Sequence, residues 1–186
     1  MLRHYYKERI KHAFRFRTRR GYGVHSPYMF NLIMCVLRDK KSNKYTYPPF
    51  NLSRSKDRKL IKLTYRLLSY LNPTLIYASG YRCELLKRCL PQYNIETSPQ
   101  SIQNASVVWI DNNNNRTQTE IDAILEWAIS NKEPHAILIT NINKNENQRA
   151  LWEKLKEVAK VNVEMMWCGL LIFNSKLQVG SYHMLP

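Results

Sequence analysis

Long apolar runs are missing from this chain of 186 residues, and none approaches the ~18 residues that a membrane span requires. With 44% hydrophobic and 23% charged residues, the composition is otherwise that of an ordinary globular protein. The start, Met1-Leu2-Arg3-His4-Tyr5-Tyr6-Lys7, places no apolar stretch behind its charges, unlike a secretory signal, so a soluble, cytoplasmic protein is expected. Cysteine is sparse: four residues, at 35, 83, 89 and 168, with no CxxC spacing, which argues against a disulfide framework or a zinc cluster. They read as reduced thiols, Cys35 and Cys168 in the core, with a reactive nucleophile at Cys83 beside Arg82 as the functional alternative. Neither GxSxG nor a phosphate-binding P-loop occurs. His4, His12, His25, His135 and His183 form no HxxxH or HExxH pattern, which argues against a metallohydrolase. His25 either hydrogen-bonds the turn before a helix or lines a pocket over a sheet edge.

Acid is also lacking, but only locally. Residues 1–66 carry 18 Lys and Arg against 3 Asp and Glu, whereas residues 67–186 carry 11 of each, so the whole net charge of +15 belongs to the first third. Two physical objects follow: a basic helical extension over 1–72 and a charge-balanced domain over 73–186.

In the extension, Leu2, Tyr5, Tyr6, Ile10, Ala13 and Phe14 recur at helical spacing, while Arg3, Lys7, Arg9, Lys11, Arg15 and Arg17 fill the other face. This predicts a cationic amphipathic helix ending near Gly21-Tyr22-Gly23. Ser26-Pro27 supplies an N-cap and a first-turn proline for a second helix through Phe30, Ile33, Met34 and Leu37. Residues 39–57 lack a period and read as a loop, the most mobile part of the chain, before Leu60, Ile61, Leu63, Leu67, Leu68 and Leu71 restore a helix that Asn72-Pro73 stops. Cations interleaved with rings suit phosphates and unstacked bases, so Arg15, Arg17, Arg19 and Arg20 are candidates for holding RNA or another polyanion. An anionic membrane surface also suits the first helix, and the plain alternative is that its apolar side packs on the domain and leaves the arginines solvated.

From Pro73 onward, short β-branched runs alternate with helical patterns, the mark of an α/β protein with a mostly parallel sheet. Strands are expected at Leu75-Ile76-Tyr77-Ala78, Tyr93-Asn94-Ile95-Glu96, Val107-Val108-Trp109-Ile110 and Ala136-Ile137-Leu138-Ile139. Helices follow at Glu84-Leu85-Leu86-Lys87-Arg88-Cys89-Leu90, behind a capping box of Thr117 and Glu120, and through Leu151, Leu155 and Val158. The last runs, 161–166 and 169–173, are too close for a helix between them and should pair as an antiparallel hairpin ending the sheet. Ligands of open α/β sheets bind at the carboxyl ends of strands, here near Ser79-Gly80, Glu96, Asp111 and Thr140-Asn141.

The run Gly21-Tyr22-Gly23-Val24-His25-Ser26-Pro27-Tyr28-Met29-Phe30, the strand Val108-Trp109-Ile110-Asp111 and the ending Met166-Trp167-Cys168-Gly169-Leu170-Leu171-Ile172-Phe173 resemble class I S-adenosylmethionine-dependent methyltransferase-like proteins of Bacteroides-type bacteria. The resemblance spans nearly the whole chain and implies a Rossmann-like methyltransferase fold with a C-terminal antiparallel hairpin, preceded by N-terminal helices. It implies S-adenosylmethionine as cofactor, with Ser79, Gly80, Glu96 and Asp111 at the cofactor cleft and Glu96 on the ribose hydroxyls; a solvated Glu96 is the alternative. The chain departs from the family at Tyr77-Ala78-Ser79-Gly80-Tyr81-Arg82-Cys83, where Tyr77 replaces an acid and Gly80 alone remains of a Gly-rich turn. Asp111 matches a metal-ligand position of the metal-dependent members, but its partner position holds Thr140-Asn141, a poor donor set for a hard cation, so no metal site is expected. Residues 97–106 leave little room for the usual helix and extra strand. The expectation is a shortened, degenerate methyltransferase relative with weak or no catalysis, or else a non-catalytic module that holds a polyanion, with a homo-oligomer or an active homologue as further partners.

Overall fold

The computed structural model describes residues 26–38, 45–49, 52–111, 116–130, 136–144, 146–165 and 167–184. The expected first helix with Arg15, Arg17, Arg19 and Arg20, the motif residues Gly21 to His25, His135 and the asparagine run 112–115 lie outside the described residues. Strands β1 (Ile76–Ser79), β2 (Ile95–Glu96), β3 (Val107–Ile110), β4 (Ala136–Thr140), β5 (Val161–Met165), β6 (Cys168–Ile172) and β7 (Gly180–Met184) form one sheet in the order β2-β1-β3-β4-β6-β5-β7. β2, β1, β3 and β4 are mutually parallel, β6 runs antiparallel to both β4 and β5, and β7 is parallel to β5. An α/β chain with a mostly parallel sheet is thus what the pattern predicted, and its central strands are buried throughout, and apolar but for Ser79 and Thr140 at their ends, because both their faces are covered.

The expected hairpin is present, but it does not end the sheet. The crossover after β4 sets β5 two strand positions away, and β6 folds back into the gap between them. β7, which the hydrophobic pattern does not announce, then covers the outer side of β5.

Helices lie on both faces, and alternate strand residues face alternate layers. One layer holds α1 (Pro27–Asn31), the wider π turn that continues it (Leu32–Leu37), α2 (Ser55–Leu71) and α3 (Cys83–Cys89), packed on Ile76, Ala78, Val107, Trp109, Leu138 and Leu170. The other holds α4 (Gln118–Ile129), α5 (Glu146–Val158) and a 3₁₀ turn (Pro99–Asn104), packed on Tyr77, Val108, Ile110, Ile137, Ile139 and Leu171. On this face Gly169 of β6 lies against the indole of Trp152, and any Cβ there would run into the ring. Among the described residues, no helix is long and apolar enough to cross a membrane.

Local chemistry sets the helix ends. Ser26 accepts the Met29 N–H at 3.4 Å, with Pro27 in the first turn, as an N-cap should. The π turn ends on Arg66 of α2, whose Nε donates to Val36 O at 2.7 Å and Nη2 to Leu37 O at 3.4 Å, so this arginine of the basic third is a buried C-cap. α2 begins at Ser55, inside the expected loop, and ends at Asn72 in the left-handed region at φ 48°. The described loop residues are tied to α2: Tyr65 Oη donates to Thr46 O at 2.9 Å, and Arg66 Nη1 to Tyr47 Oη at 3.2 Å.

Candidate functional site

Because β1, β3 and β4 are parallel and in register, their carboxyl ends bring Ser79, Asp111 and Thr140 to one edge. Asp111 N–H donates to Ser79 O at 2.7 Å, and Gly80 follows at φ +114°, turning the chain against Asp111. A Cβ on Gly80 would meet Asp111 Cβ at 2.7 Å and its carbonyl carbon at 2.9 Å. The bare backbone of this glycine therefore admits the neighbouring strand.

Asp111 is 1% exposed, and its carboxylate is saturated by its own chain. Arg82 donates to Oδ2 from its backbone N at 3.1 Å and its Nε at 3.0 Å, and to Oδ1 from Nη2 at 2.6 Å. Thr140 Oγ1 donates to Oδ1 as well. The far side of the guanidinium is taken too, since Nη1 lies 3.1 Å from Asp57 Oδ1 in the first turn of α2. Burial works against the Arg82 charge, but the hydrogen bonds to Asp111 and the charges of Asp111 and Asp57 outweigh it and raise the pKa above the usual arginine value.

A second node sits beside the first. Glu120 Oε1 accepts Tyr77 Oη at 3.1 Å, Ser79 Oγ, and Arg116 Nε at 3.2 Å. Arg116 Nη2 reaches Asp111 O at 2.9 Å and Nη1 reaches Gln148 Oε1 at 3.4 Å, while Gln148 Nε2 donates to Thr140 O at 3.1 Å. The two nodes thus form a continuous ionic network across the ends of β1, β3 and β4. Burial first, and then the Glu120 carboxylate, push the Tyr77 phenol well above its usual range, so it serves as a neutral donor.

Of the residues singled out from sequence, Ser79, Gly80 and Asp111 converge at this edge. Glu96 does not: it is exposed at the end of the two-residue β2, opposite Tyr77, and takes no part in the network. Cys83 is a correction. It is buried, and burial and then Asp111 push its thiol up to about 12, the reverse of what a nucleophile needs. The capping box is half formed, for Thr117 Oγ1 accepts Glu120 N–H at 3.2 Å while the Glu120 side chain turns to Tyr77 and Ser79. Arg82, Arg116, Glu120 and Gln148 were missed as site residues. The available signal was an acid at a strand end with an arginine in the loop after the neighbouring parallel strand. The sequence matches no family model, no curated protein and no solved structure.

Proposed function

We propose that the chain is a shortened Rossmann-like, methyltransferase-type domain that has given up S-adenosylmethionine chemistry and serves as a non-catalytic module binding a polyanion. The antiparallel β6 lodged between β4 and β5 supports the likeness, as does the single 3₁₀ turn standing between β2 and β3. The observation that carries the loss of catalysis is the Arg82 guanidinium seated on Asp111.

The described residues do not fit the cofactor. Tyr77 takes the place of an acid and is committed to Glu120, and the glycine that would let a ligand approach is packed on Asp111. A cofactor that engaged Asp111 would displace Arg82 and leave the buried carboxylate without its ionic partner, at a cost of about 3–5 kcal/mol. That is roughly half the free energy of a micromolar ligand. Positioning a methyl donor is most of what such an enzyme does, so a cleft that does not hold it does not catalyse.

The polyanion reading is supported by the charge distribution, with +15 over residues 1–66 and zero beyond. Melting the full chain with S-adenosylmethionine or S-adenosylhomocysteine at about 1 mM tests the first half, since a ligand at 100 times its Kd adds about 2.7 kcal/mol. No shift in Tm is expected. Retention on heparin that falls steeply with salt is expected for the second half.

A further inference from the structure

We infer that one side of α2, together with Trp167 and Tyr47, is a single-stranded nucleic-acid surface; this rests on the polyanion reading and places it on particular residues. α2 buries Leu60, Ile61, Leu63, Leu67 and Leu68 against the sheet and turns Lys56, Arg58 and Lys59 to solvent, with Lys62 half-buried beside them. The helix carries a single acid, Asp57, and Arg82 neutralises it at 3.1 Å. The outward side of the helix is therefore cationic.

Each of two lysines stands by a ring. Lys59 Nζ lies 5.2 Å from the ring centre of Trp167, which sits in the turn between β5 and β6, at the same sheet edge as Asp111. Lys62 Nζ lies 4.8 Å from that of Tyr47. Tyr65, one helical turn on, extends the row, with its ring centre 5.5 Å from Tyr47 and 6.4 Å from Tyr45. A nucleotide whose phosphate meets either lysine brings its base to the adjoining ring, and repeating this along a helix side is how a strand is held without regard to sequence. A membrane surface fits less well, because α2 exposes no large apolar side chain to insert among lipids. Paired rings have little to offer a purely acidic peptide.

The test uses the full chain and a fluorescein-labelled oligouridine of about 20 nucleotides, with anisotropy read between about 50 and 200 mM salt. Trp109, Trp127 and Trp152 are buried, so tryptophan quenching during the titration reports on Trp167. The combined variant Lys56→Gln, Lys59→Gln and Lys62→Gln alters side chains at the surface, and a wild-type melting curve shows that it folds. The expected result is quenching in the wild type, at least tenfold weaker binding in the triple variant, and a log–log salt slope shallower by about 2, at about 0.7 for each phosphate no longer neutralised. Wild-type binding that the triple variant retains in full, without quenching, overturns this surface and leaves the polyanion reading standing. No oligouridine binding by the wild type overturns this surface, and the polyanion reading falls with it if the full chain is also not retained on heparin; binding to phosphatidylserine vesicles in place of oligouridine overturns the nucleic-acid assignment alone.

Discussion

Arg82 and Asp111 are joined at three points, with the backbone N, Nε and Nη2 of the arginine all donating to the two oxygens of one carboxylate at 3.1, 3.0 and 2.6 Å. Asp111 stands at the end of a central parallel strand, where open α/β sheets receive ligands. The chain meets the acid of its own cleft with its own cation.

Arg82→Ala strands a buried carboxylate that retains only the Thr140 hydroxyl and one backbone N–H as donors. The expected loss is about 3 kcal/mol, at the lower end for breaking a buried pair. Adding Asp111→Asn removes the unpaired charge, so the double variant loses less than the two single variants summed. Urea unfolding of the four proteins of this cycle measures the coupling.

Gly80→Ala combines positive φ with a Cβ placed 2.7 Å from that of Asp111. Backbone strain and overpacking together predict a loss of about 2–4 kcal/mol. Thermal unfolding checks this, and an unchanged Tm contradicts the close approach of β1 to Asp111.

Thr64→Val should stabilise the protein. Thr64 is 1% exposed, its Oγ1 lacks a hydrogen-bond partner, and it lines a small apolar cavity between α2 and the sheet along with Trp109, whose Nε1 is also unpartnered. Replacing an unsatisfied buried hydroxyl by a methyl group gains about 1 kcal/mol, read as a higher urea midpoint with the same m-value.

Alkaline pH should destabilise the fold, in large part through two thiols. Burial, aided at Cys83 by Asp111, raises Cys83 and Cys168 to about 12 from an ordinary value of 9.0. Between these values the unfolded chain has released protons that the folded chain keeps, so stability is full below about 9 and falls as pH rises toward 12. Urea unfolding at about pH 8 and about pH 10 should show a loss of roughly 1 kcal/mol per thiol, on top of the share from the buried phenols of Tyr28 and Tyr77, and Cys168→Ala should lower the loss by roughly 1 kcal/mol.

The fold was legible where one local rule decided it. Val107–Ile110 is an unbroken apolar run, and 161–173 allows no helix between its two strands. The place of β6 in the sheet was not legible, since periodicity shows which faces are buried and says nothing of strand order. β7 was missed because Ser181 and His183 dilute it, although Tyr182 and Met184 alternate with them as strand residues do. At the strand edge, the meeting of Asp111, Ser79 and Gly80 was legible from their strand-end positions. Arg82 was weighed only as a neighbour of Cys83, because its partners lie 29 residues ahead and 25 behind, a distance that only the sheet closes. Thr140 was read as a failed metal ligand, whereas its hydroxyl donates to Asp111.

The most direct test of the closed cleft is isothermal titration of the full chain with S-adenosylmethionine and S-adenosylhomocysteine up to about 1 mM, a range that resolves binding free energies down to roughly 4 kcal/mol. No heat beyond dilution is predicted for either ligand. Saturable binding with a micromolar Kd would contradict the proposal that the Arg82–Asp111 pair has replaced the cofactor at this strand edge.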